Sequence, residues 1–411
     1  MVTNTPNNSA RSAQGPVASN AQGSNAQLPS LTALRGVAAL WVVVYHYSVQ
    51  CLPTLDLVPH TYLVHKGYLA VDMFFMLSGF VMTHVYHRAF SESVSRNYRS
   101  FLFARVARIY PLHLLILVLF VATAVAAQLT AGASIDSLRN VPLRGSESVS
   151  AFVANVFMLQ GLNAGQLSWN YPSWSISVEF MAYLLFPFAL PAIWRASDKA
   201  KIAVALFLVA LLALLAFLTK GNFDQWDGPI TLLRCLPEFI LGTLLYCAFR
   251  AVPRGSFLDR DATAFGVLLM IILCLHVGAP DLLIACLFAV LVLTAVLNTG
   301  SFAGFANTPS LIWLGDISYS LYLVHGFIQF VTTKLLGHFG IQDHGDLSIY
   351  SSLALMALMI AVSLAASHLT YFGIEIGCRQ YLRNLFGVRK KSQLVPVRVR
   401  SSPPIAAQRR V

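Results

Sequence analysis

The chain alternates long apolar stretches with short polar connections. Ten of these stretches contain about the twenty residues that an α-helix needs to cross a bilayer. The predicted spans are residues 31–52, 67–87, 103–127, 174–194, 200–219, 230–250, 263–279, 281–298, 310–336 and 349–375. A tight turn at Gly278 to Asp281 predicts that the seventh and eighth spans form a hairpin. The pattern therefore predicts an all-α, polytopic membrane helical bundle with about ten transmembrane helices.

Polar segments flank this predicted bundle of residues 30–385. Residues 1–29 are rich in Asn, Ser, Gln, Ala and Gly, which predicts a disordered tail and no cleavable signal peptide. Residues 386–411 form a basic C-terminal tail. The longest connection, residues 128–173, contains a short apolar stretch at 152–162 that cannot span, and we expect it to be interfacial or re-entrant.

Composition supports a membrane protein. The 411 residues are 57% hydrophobic and 11% charged, with a mean hydropathy of +0.66, which is too apolar for a soluble domain of this length. The six cysteines lie in or beside apolar stretches without metal-ligand spacing, so they are interpreted as small hydrophobic residues and no metal is predicted.

The formal net charge of +11 indicates orientation rather than nucleic-acid binding, because the positive residues lie in short connections and in the C-terminal tail. Most lysines and arginines of the connections fall on the side of the two chain ends. The excess of positive charge on the inner side predicts that both termini are cytoplasmic. We expect an integral membrane protein, with the 128–173 connection extracytoplasmic.

The first span carries Arg35 at one end and His46 well inside it. They are eleven residues apart, so a helix would place both on nearly the same face, about 16 Å apart along its axis. An ionisable side chain within a span is costly and rare. His46 is therefore predicted to be functional.

A second cationic motif opens the third span. Arg105 and Arg108, three residues apart, share one side of a predicted helix N-terminus, where free backbone N–H groups favour an anion. Together with Arg35 they predict a cytoplasmic phosphate-binding cluster. The alternative is that the three arginines are only membrane-interface anchors.

Two carboxylates are expected at the depth of His46. Asp72 lies near the outer end of the second span and would hold one nitrogen of the His46 imidazole, unless it is a structural residue. Glu179 lies near the outer end of the fourth span, four residues after Ser175 and one residue too far for a capping box. It is predicted to be a second carboxylate, an orienting group or an acceptor ligand.

The ninth and sixth spans also carry polar residues. Tyr319, Tyr322 and His325 follow each other at three-residue intervals and form one polar stripe. We predict that Tyr322 and His325, with Ser175, bind substrate. Arg234 and Glu238, four residues apart in the sixth span, are predicted to pair with each other.

The motifs together resemble those of the acyltransferase-3 family of integral membrane O-acyltransferases. The resemblance rests on the arginine and histidine of the first span, G-x-x-x-V-D-x-F-F-x-L-S-G-F in the second, R-x-x-R entering the third, W-S-x-S-x-E opening the fourth and S-Y-x-x-Y-L-x-H in the ninth. It covers roughly residues 30–375. Its one departure is E-I-G from Glu375, where the family often has an E-R/K-P-like sequence, so little weight is placed on Glu375.

The resemblance implies transfer of an acyl group, usually acetyl from cytoplasmic acetyl-CoA, to a hydroxyl of a cell-surface or exported glycan. It also implies that Arg35 and His46 are essential and that Arg105 and Arg108 belong to the acyl-CoA side. The hypothesis is that Arg35, Arg105 and Arg108 hold the phosphates, while His46, oriented by Asp72 or Glu179, is a general base or is itself acylated.

Three rival interpretations remain at this stage. A small molecule or a lipid could replace the glycan as acceptor. A secondary transporter or flippase would also carry polar residues in the bundle core, although no paired repeats or Gly/Pro-interrupted helices are found. A sensor or scaffold without catalysis is the third alternative, against which the intact His46, Asp72 and Glu179 argue.

Overall fold

All regular elements of the described residues are helical, as predicted. The computed structural model describes residues 28–58, 60–130, 147–162, 168–224, 228–341 and 344–385. These all lie within one structural unit, Leu28–Arg389. The predicted tails, apart from residues 28 and 29, and parts of the 128–173 connection fall outside the described residues.

Fourteen α-helices are labelled here in chain order within the described ranges. They are α1 Pro29–Tyr45, α2 Ala70–Glu92, α3 Val94–Thr130, α4 Val149–Val156, α5 Trp174–Arg195, α6 Asp198–Leu218, α7 Ile230–Ala251, α8 Asp261–His276, α9 Asp281–Leu297, α10 Ser301–Ala306, α11 Pro309–Asp316, α12 Ser318–His338, α13 Ile349–Thr370 and α14 Gly377–Leu385. Two π-helical segments, His46–Cys51 and Tyr371–Ile376, continue α1 and α13. Short 3-10 turns occur at Pro53–Leu55, His65–Leu69, Gln160–Leu162, Tyr171–Ser173, Phe257–Asp259 and His344–Asp346.

The number of candidate spans is smaller than predicted. In the described part of the chain, six helices are long and apolar enough to cross a membrane, or seven if α11 and α12, bent by 64°, form one broken span. The other three predicted spans correspond to α8 and α9, which have 16 and 17 residues, and to α1, whose 17 residues continue into the π-helical segment His46–Cys51. At 1.5 Å per residue α8 and α9 are about 24–26 Å long, shorter than a hydrocarbon core of about 30 Å. The helical membrane fold is confirmed, and the count of about ten is not.

Two glycines bring α2 and α7 into direct backbone contact. A Cβ atom on Gly79 would lie 1.9 Å from the Phe239 carbonyl oxygen, and one on Gly242 would lie 2.0 Å from the Met76 carbonyl oxygen. Small residues at a helix crossing permit this approach, and dispersion forces then stabilise the pair. The crossing determines which side chains of α2 and α7 face each other.

A second close crossing places α1 against the break between α11 and α12. A Cβ atom on Gly36 would lie 2.5 Å from the Gly315 nitrogen, and one on Gly315 would lie 2.1 Å from the Thr32 carbonyl oxygen. Arg35, next to Gly36, is therefore adjacent to the last turn of α11. The side chain before the glycine can reach the carbonyl groups that the bend exposes.

The predicted hairpin of α8 and α9 is present. Its turn contains Gly278 at φ +71°, a conformation that favours glycine. Asp281, the first residue of α9, accepts hydrogen bonds from Lys66, from the Tyr68 hydroxyl at 2.9 Å and from the backbone N–H of Phe223 at 2.9 Å. This buried carboxylate ties the hairpin to the segment before α2 and to the loop before α7.

Candidate active site

Two histidines meet where α1 changes to a π-helical turn. His46, the first residue of that turn, has its Nδ1 atom 3.0 Å from Nε2 of His325 on α12. The two rings stack at 29° with centroids 5.0 Å apart. His325 is fully buried, whereas His46 keeps partial exposure. π-helical turns are frequent at functional sites, and this one presents His46 to α12.

We call His46 and His325 the histidine pair. The other two predicted substrate-binding residues, Ser175 and Tyr322, lie beside this pair. The hydroxyl groups of Ser175 and Tyr322 are 2.7 Å apart and share a hydrogen bond. The Tyr322 ring lies 5.8 Å from the His325 ring. The structure therefore brings Ser175, Tyr322 and His325 together from α5 and α12, next to His46.

Residues that were not predicted also contact the histidine pair. The Tyr171 ring packs edge-on at 5.0 Å from the His46 ring, and its hydroxyl donates to Gln329 Oε1 at 2.6 Å. Tyr171 occupies the 3-10 turn before α5, and Gln329 lies one helical turn after His325. The position of Gln329, four residues after a candidate histidine, was the one sequence signal that could have identified it.

Tyr45 is a second aromatic residue in contact with His46. Its ring lies 4.9 Å from the His46 ring, and its hydroxyl donates to Asp224 Oδ2 at 3.0 Å. Asp224 belongs to the loop between α6 and α7. Burial raises the pKa of its carboxyl above the ordinary value, and the Arg234 guanidinium and the Tyr45 hydrogen bond oppose this shift. The loop thus supplies a partly buried acid that binds the hydroxyl of the tyrosine next to His46.

Asp72 contacts an arginine instead of His46. Its two oxygens accept bidentate hydrogen bonds from Arg234 at 2.8 and 2.6 Å, and both side chains are buried. The predicted pairing of Arg234 with Glu238 is therefore wrong: the salt bridge of Arg234 is to Asp72. The Gly79–Gly242 crossing brings α2 close enough to α7 for a bidentate bond, which is stronger than a pairing along one helix.

Glu179 lies with Arg105 in an aromatic cluster. The Tyr183 hydroxyl donates to Glu179 Oε1 at 2.6 Å and also bonds the Ser78 hydroxyl at 2.8 Å. The Arg105 guanidinium lies 6.0 Å from the Tyr183 ring and 5.6 Å from the Tyr86 ring. Neither predicted carboxylate orients the His46 ring in the structure, because the partners of that ring among the described residues are His325 and the backbone of Val42.

Arg35 closes the break between α11 and α12. Its Nη2 donates to the Gly315 carbonyl at 2.8 Å and its Nε donates to the Ser318 hydroxyl at 2.9 Å. Exposed carbonyl groups at a broken helix within a membrane protein need such donors. Arg35 therefore stabilises the helix break in addition to contributing a positive charge.

Arg108, Asp316 and Glu375 lie close enough to Arg35 to interact electrostatically with it. We call these four residues the arginine cluster. Glu375, on which sequence analysis placed little weight, is buried and accepts a hydrogen bond from Ser320. The π-helical segment that holds Glu375 packs against α3, a contact that no local pattern indicates.

The predicted set of three arginines is divided in the structure. Arg105 and Arg108 also do not lie at a helix N-terminus as predicted, because α3 begins at Val94 and both residues are in its interior. Arg108 belongs to the arginine cluster, whereas Arg105 packs on Tyr86 and Tyr183. Three residues along a helix rotate by about 300°, which leaves the two side chains about 60° apart. Because both side chains are long, this angle is enough to send them into different surroundings.

Residues 28–371 match the sequence profile of a protein family described as 'Acyltransferase domain'. Acyltransferase MdmB of Streptomyces mycarofaciens is 29% identical over 395 residues, which cover 87% of this chain and 92% of that protein. O-acetyltransferase OatA of Staphylococcus aureus is 25% identical, covering 82% of this chain and 56% of OatA. The putative peptidoglycan O-acetyltransferase YrhL of Bacillus subtilis is 22% identical, covering 87% and 57%.

The chain therefore spans little more than half the length of OatA and YrhL. No solved structure matches the chain. The family match runs from the start of α1 to the end of α13 and includes both His46 and His325. The chain belongs to the acyltransferase-3 family and is an integral membrane O-acyltransferase.

Proposed function

We propose that this O-acyltransferase moves an acetyl group from acetyl-CoA, held at the arginine cluster, to a hydroxyl group of a glycan at the histidine pair. The observation that carries the proposal is the layout of α1 and its π-helical extension. Arg35 meets the helix break at one end, and His46 meets His325 eleven residues later. The distance of about 16 Å along the helix is comparable to the length of an extended thioester arm.

The direction of transfer follows from the charge of the connections. With both termini in the cytoplasm of a bacterial inner membrane, the arginine cluster faces the cytoplasm, where acetyl-CoA would be bound. The histidine pair then lies toward the opposite side, where a glycan acceptor would arrive. Arg35 and Arg108 would bind phosphate groups through charge-assisted hydrogen bonds. Arg105 would act from its separate position beside Tyr86 and Tyr183.

Two chemical routes are open at His46. As a general base, it would remove the proton of the acceptor hydroxyl while the oxygen attacks the thioester carbon. As a transient acyl carrier, it would attack the thioester first and then pass the acyl group to the acceptor. Ser175 and Tyr322 would hold the acceptor in both routes. Asp72 would act on the site indirectly, through its ion pair with Arg234, and Glu179 through Tyr183.

The names of two relatives support an acetyl group and a hydroxyl acceptor, since OatA is an O-acetyltransferase and YrhL a putative peptidoglycan O-acetyltransferase. MdmB, which the chain covers over 92% of its length, is named only an acyltransferase. A small-molecule or lipid acceptor is therefore the second candidate. The family match favours acyl transfer over the transporter and flippase interpretations.

The test measures CoA release from labelled acetyl-CoA by purified protein in nanodiscs, with glycan, lipid and small-molecule acceptors compared. We expect His46→Ala to abolish transfer while the protein stays folded. His338→Ala is the matched control, because His338 is exposed at the end of α12. Wild-type transfer by His46→Ala would refute the proposal, as would tracer uptake without any acyl transfer. Mass analysis of surface glycans with and without the protein would identify the acceptor.

A further inference from the structure

We infer that His325 is a positioning residue, which holds His46 in the Nδ1–H tautomer and leaves His46 Nε2 as the nitrogen that accepts the acceptor's proton. This inference rests on the proposed role of His46 and specifies how that role is achieved. His325 would then act through His46 instead of contacting substrate.

The argument begins at the Leu321 carbonyl, which lies 3.1 Å from His325 Nδ1. A carbonyl oxygen only accepts hydrogen bonds, so Nδ1 of His325 must carry the hydrogen. His325 is fully buried, and among the described residues no carboxylate bonds its ring. An unpaired buried charge would be costly, so the ring is neutral and its Nε2 holds a lone pair.

The next hydrogen bond follows from this assignment. His325 Nε2 must accept, and His46 Nδ1, 3.0 Å away, must donate. The neutral His46 ring then has its lone pair on Nε2. Because His46 is partly exposed and His325 is not, the basic nitrogen belongs to the ring that an acceptor can reach.

Surrounding contacts hold the backbone of His325 in place. The Tyr47 hydroxyl lies 3.1 Å from the His325 carbonyl oxygen and 2.7 Å from the Ser363 hydroxyl. The Asn170 side-chain amide donates to the Leu323 carbonyl at 3.2 Å. These bonds connect the π-helical turn, α13 and the segment before α5 to the same part of α12. A supported partner of this kind orients a reactive ring more accurately than a mobile one.

The histidine pair also suits chemistry inside a membrane. In the general-base route, the acceptor O–H bond breaks and its proton passes to His46 Nε2. The hydroxyl oxygen bonds the acyl carbon, the carbon–sulfur bond breaks, and the thiolate then takes the proton from Nε2 and leaves as the thiol. While His46 is cationic, its Nδ1–H bond to His325 becomes charge-assisted. A neutral partner provides this support without a permanent buried anion, which is costly at membrane depth.

Two variants of His325 test the inference. His325→Phe keeps an aromatic ring but removes the acceptor, and His325→Gln keeps an acceptor oxygen. We expect His325→Phe to lower kcat by about 10- to 100-fold with KM for acetyl-CoA and for acceptor changed by less than about twofold, and His325→Gln to recover part of that loss. His338→Phe and His338→Gln serve as controls at an exposed histidine.

The tautomer itself is measured by nitrogen-15 NMR of histidine-labelled protein in nanodiscs, with the His46 signals assigned by difference from His46→Ala. We expect one Nδ1–H tautomer in the wild type and a mixture in His325→Phe. Wild-type kcat in His325→Phe, or an Nε2–H tautomer in the wild type, would overturn the inference. A raised acceptor KM with unchanged kcat would instead make His325 a substrate-binding residue.

These outcomes are distinct from failure of the proposed function, which His46→Ala tests. If His46→Ala is inactive and His325→Phe is fully active, only the inference fails. If His325→Phe does not fold, the wild-type tautomer and the kcat of His325→Gln still decide the matter: a Gln variant that loses kcat as completely as His46→Ala contradicts support by a simple hydrogen-bond acceptor.

Discussion

Asp72 and Arg234 form a bidentate ion pair between α2 and α7, with hydrogen bonds of 2.8 and 2.6 Å and both side chains buried. Arg234 also donates to the Tyr68 carbonyl at 3.1 Å and lies over the Trp174 ring at 5.7 Å. The pair therefore connects the start of α2, α5 and α7. The aspartate that sequence motifs associate with catalysis is held at a junction of three helices.

Asp72→Asn should destabilise the protein more than it impairs chemistry. Leaving one partner of a buried ion pair unpaired costs about 3–5 kcal/mol, whereas replacing both partners by apolar residues is often much less harmful. We expect a large drop in thermal stability in detergent and partial recovery in Asp72→Leu/Arg234→Leu. The control is Asp198→Asn, at a side chain that is 87% exposed. A fully stable, inactive Asp72→Asn would show instead that Asp72 acts directly in catalysis.

Gly242→Ala should weaken the packing of α2 on α7. Its new methyl group would meet the Met76 carbonyl at 2.0 Å, and overpacking of this kind costs about 1–3 kcal/mol. Gly266→Ala is the matched control in α8, because nothing lies within 4 Å of its Cβ position. There the substitution should stabilise the helix by about 0.5–1 kcal/mol. Equal melting temperatures of the two variants in detergent would contradict the close crossing.

Arg108→Ala and Arg105→Ala should have different effects on the donor. Arg108 lies in the arginine cluster, so its loss should raise KM for acetyl-CoA about tenfold or more but leave KM for S-acetylpantetheine, which lacks the nucleotide phosphates, unchanged. Arg105 packs on Tyr86 and Tyr183, and its loss should affect both donors equally. Steady-state kinetics with the two donors distinguishes the arginines. Identical donor profiles would support a single three-arginine site.

Ser175→Ala and Tyr322→Phe should each weaken acceptor binding. In Ser175→Ala the Tyr322 hydroxyl loses its partner at 2.7 Å, and an unsatisfied buried hydroxyl costs about 1–3 kcal/mol. In Tyr322→Phe the Ser175 hydroxyl loses the same contact but keeps the Pro172 carbonyl at 3.3 Å. We expect the acceptor KM to rise about fivefold or more, with the KM for acetyl-CoA unchanged. Because the two groups share one bond, the double variant should show less than the sum of the single effects. Strict additivity would mean that the hydroxyl groups act separately.

Asp224→Asn should change the pH dependence of stability. Burial raises the pKa of Asp224 in the folded protein, so above the ordinary aspartate value of about 4 the unfolded chain loses this proton more readily. Stability of the wild type should therefore fall as pH rises through this range, and the asparagine variant should lack this contribution while still accepting the Tyr45 hydrogen bond. Melting temperatures between pH 4 and 7 test this, with Asp198→Asn as control. Parallel curves for wild type and Asp224→Asn would contradict it.

Local patterns predicted the helical elements well. Each of the ten apolar stretches coincides with helix in the structure, and the turn before Asp281 joins α8 to α9 as expected. The motifs also drew attention to Ser175, Tyr322 and His325, which the structure places beside His46. Hydropathy and helical periodicity are properties of consecutive residues, so they determine where a helix lies and which of its faces is polar.

The pairing between helices could not be predicted in the same way. Asp72 pairs with Arg234, His46 with His325, and Arg35 with the carbonyl of Gly315. Each of these contacts joins residues far apart in the chain, and each depends on how two helices rotate and cross. The close crossings at glycines set those rotations, but a glycine in the sequence does not show which other helix packs against it.

The sequence by itself determined a helical membrane acyltransferase with Arg35 and His46 at opposite ends of one apolar segment. Only the tertiary structure decided that His46 is held by a second histidine, that Asp72 is occupied by an ion pair and that Arg105 and Arg108 face different surroundings. The physical reason is that a hydrogen bond forms only within a narrow range of donor–acceptor distances, a few tenths of an ångström wide. Such distances are set by close packing of distant segments and not by local propensity.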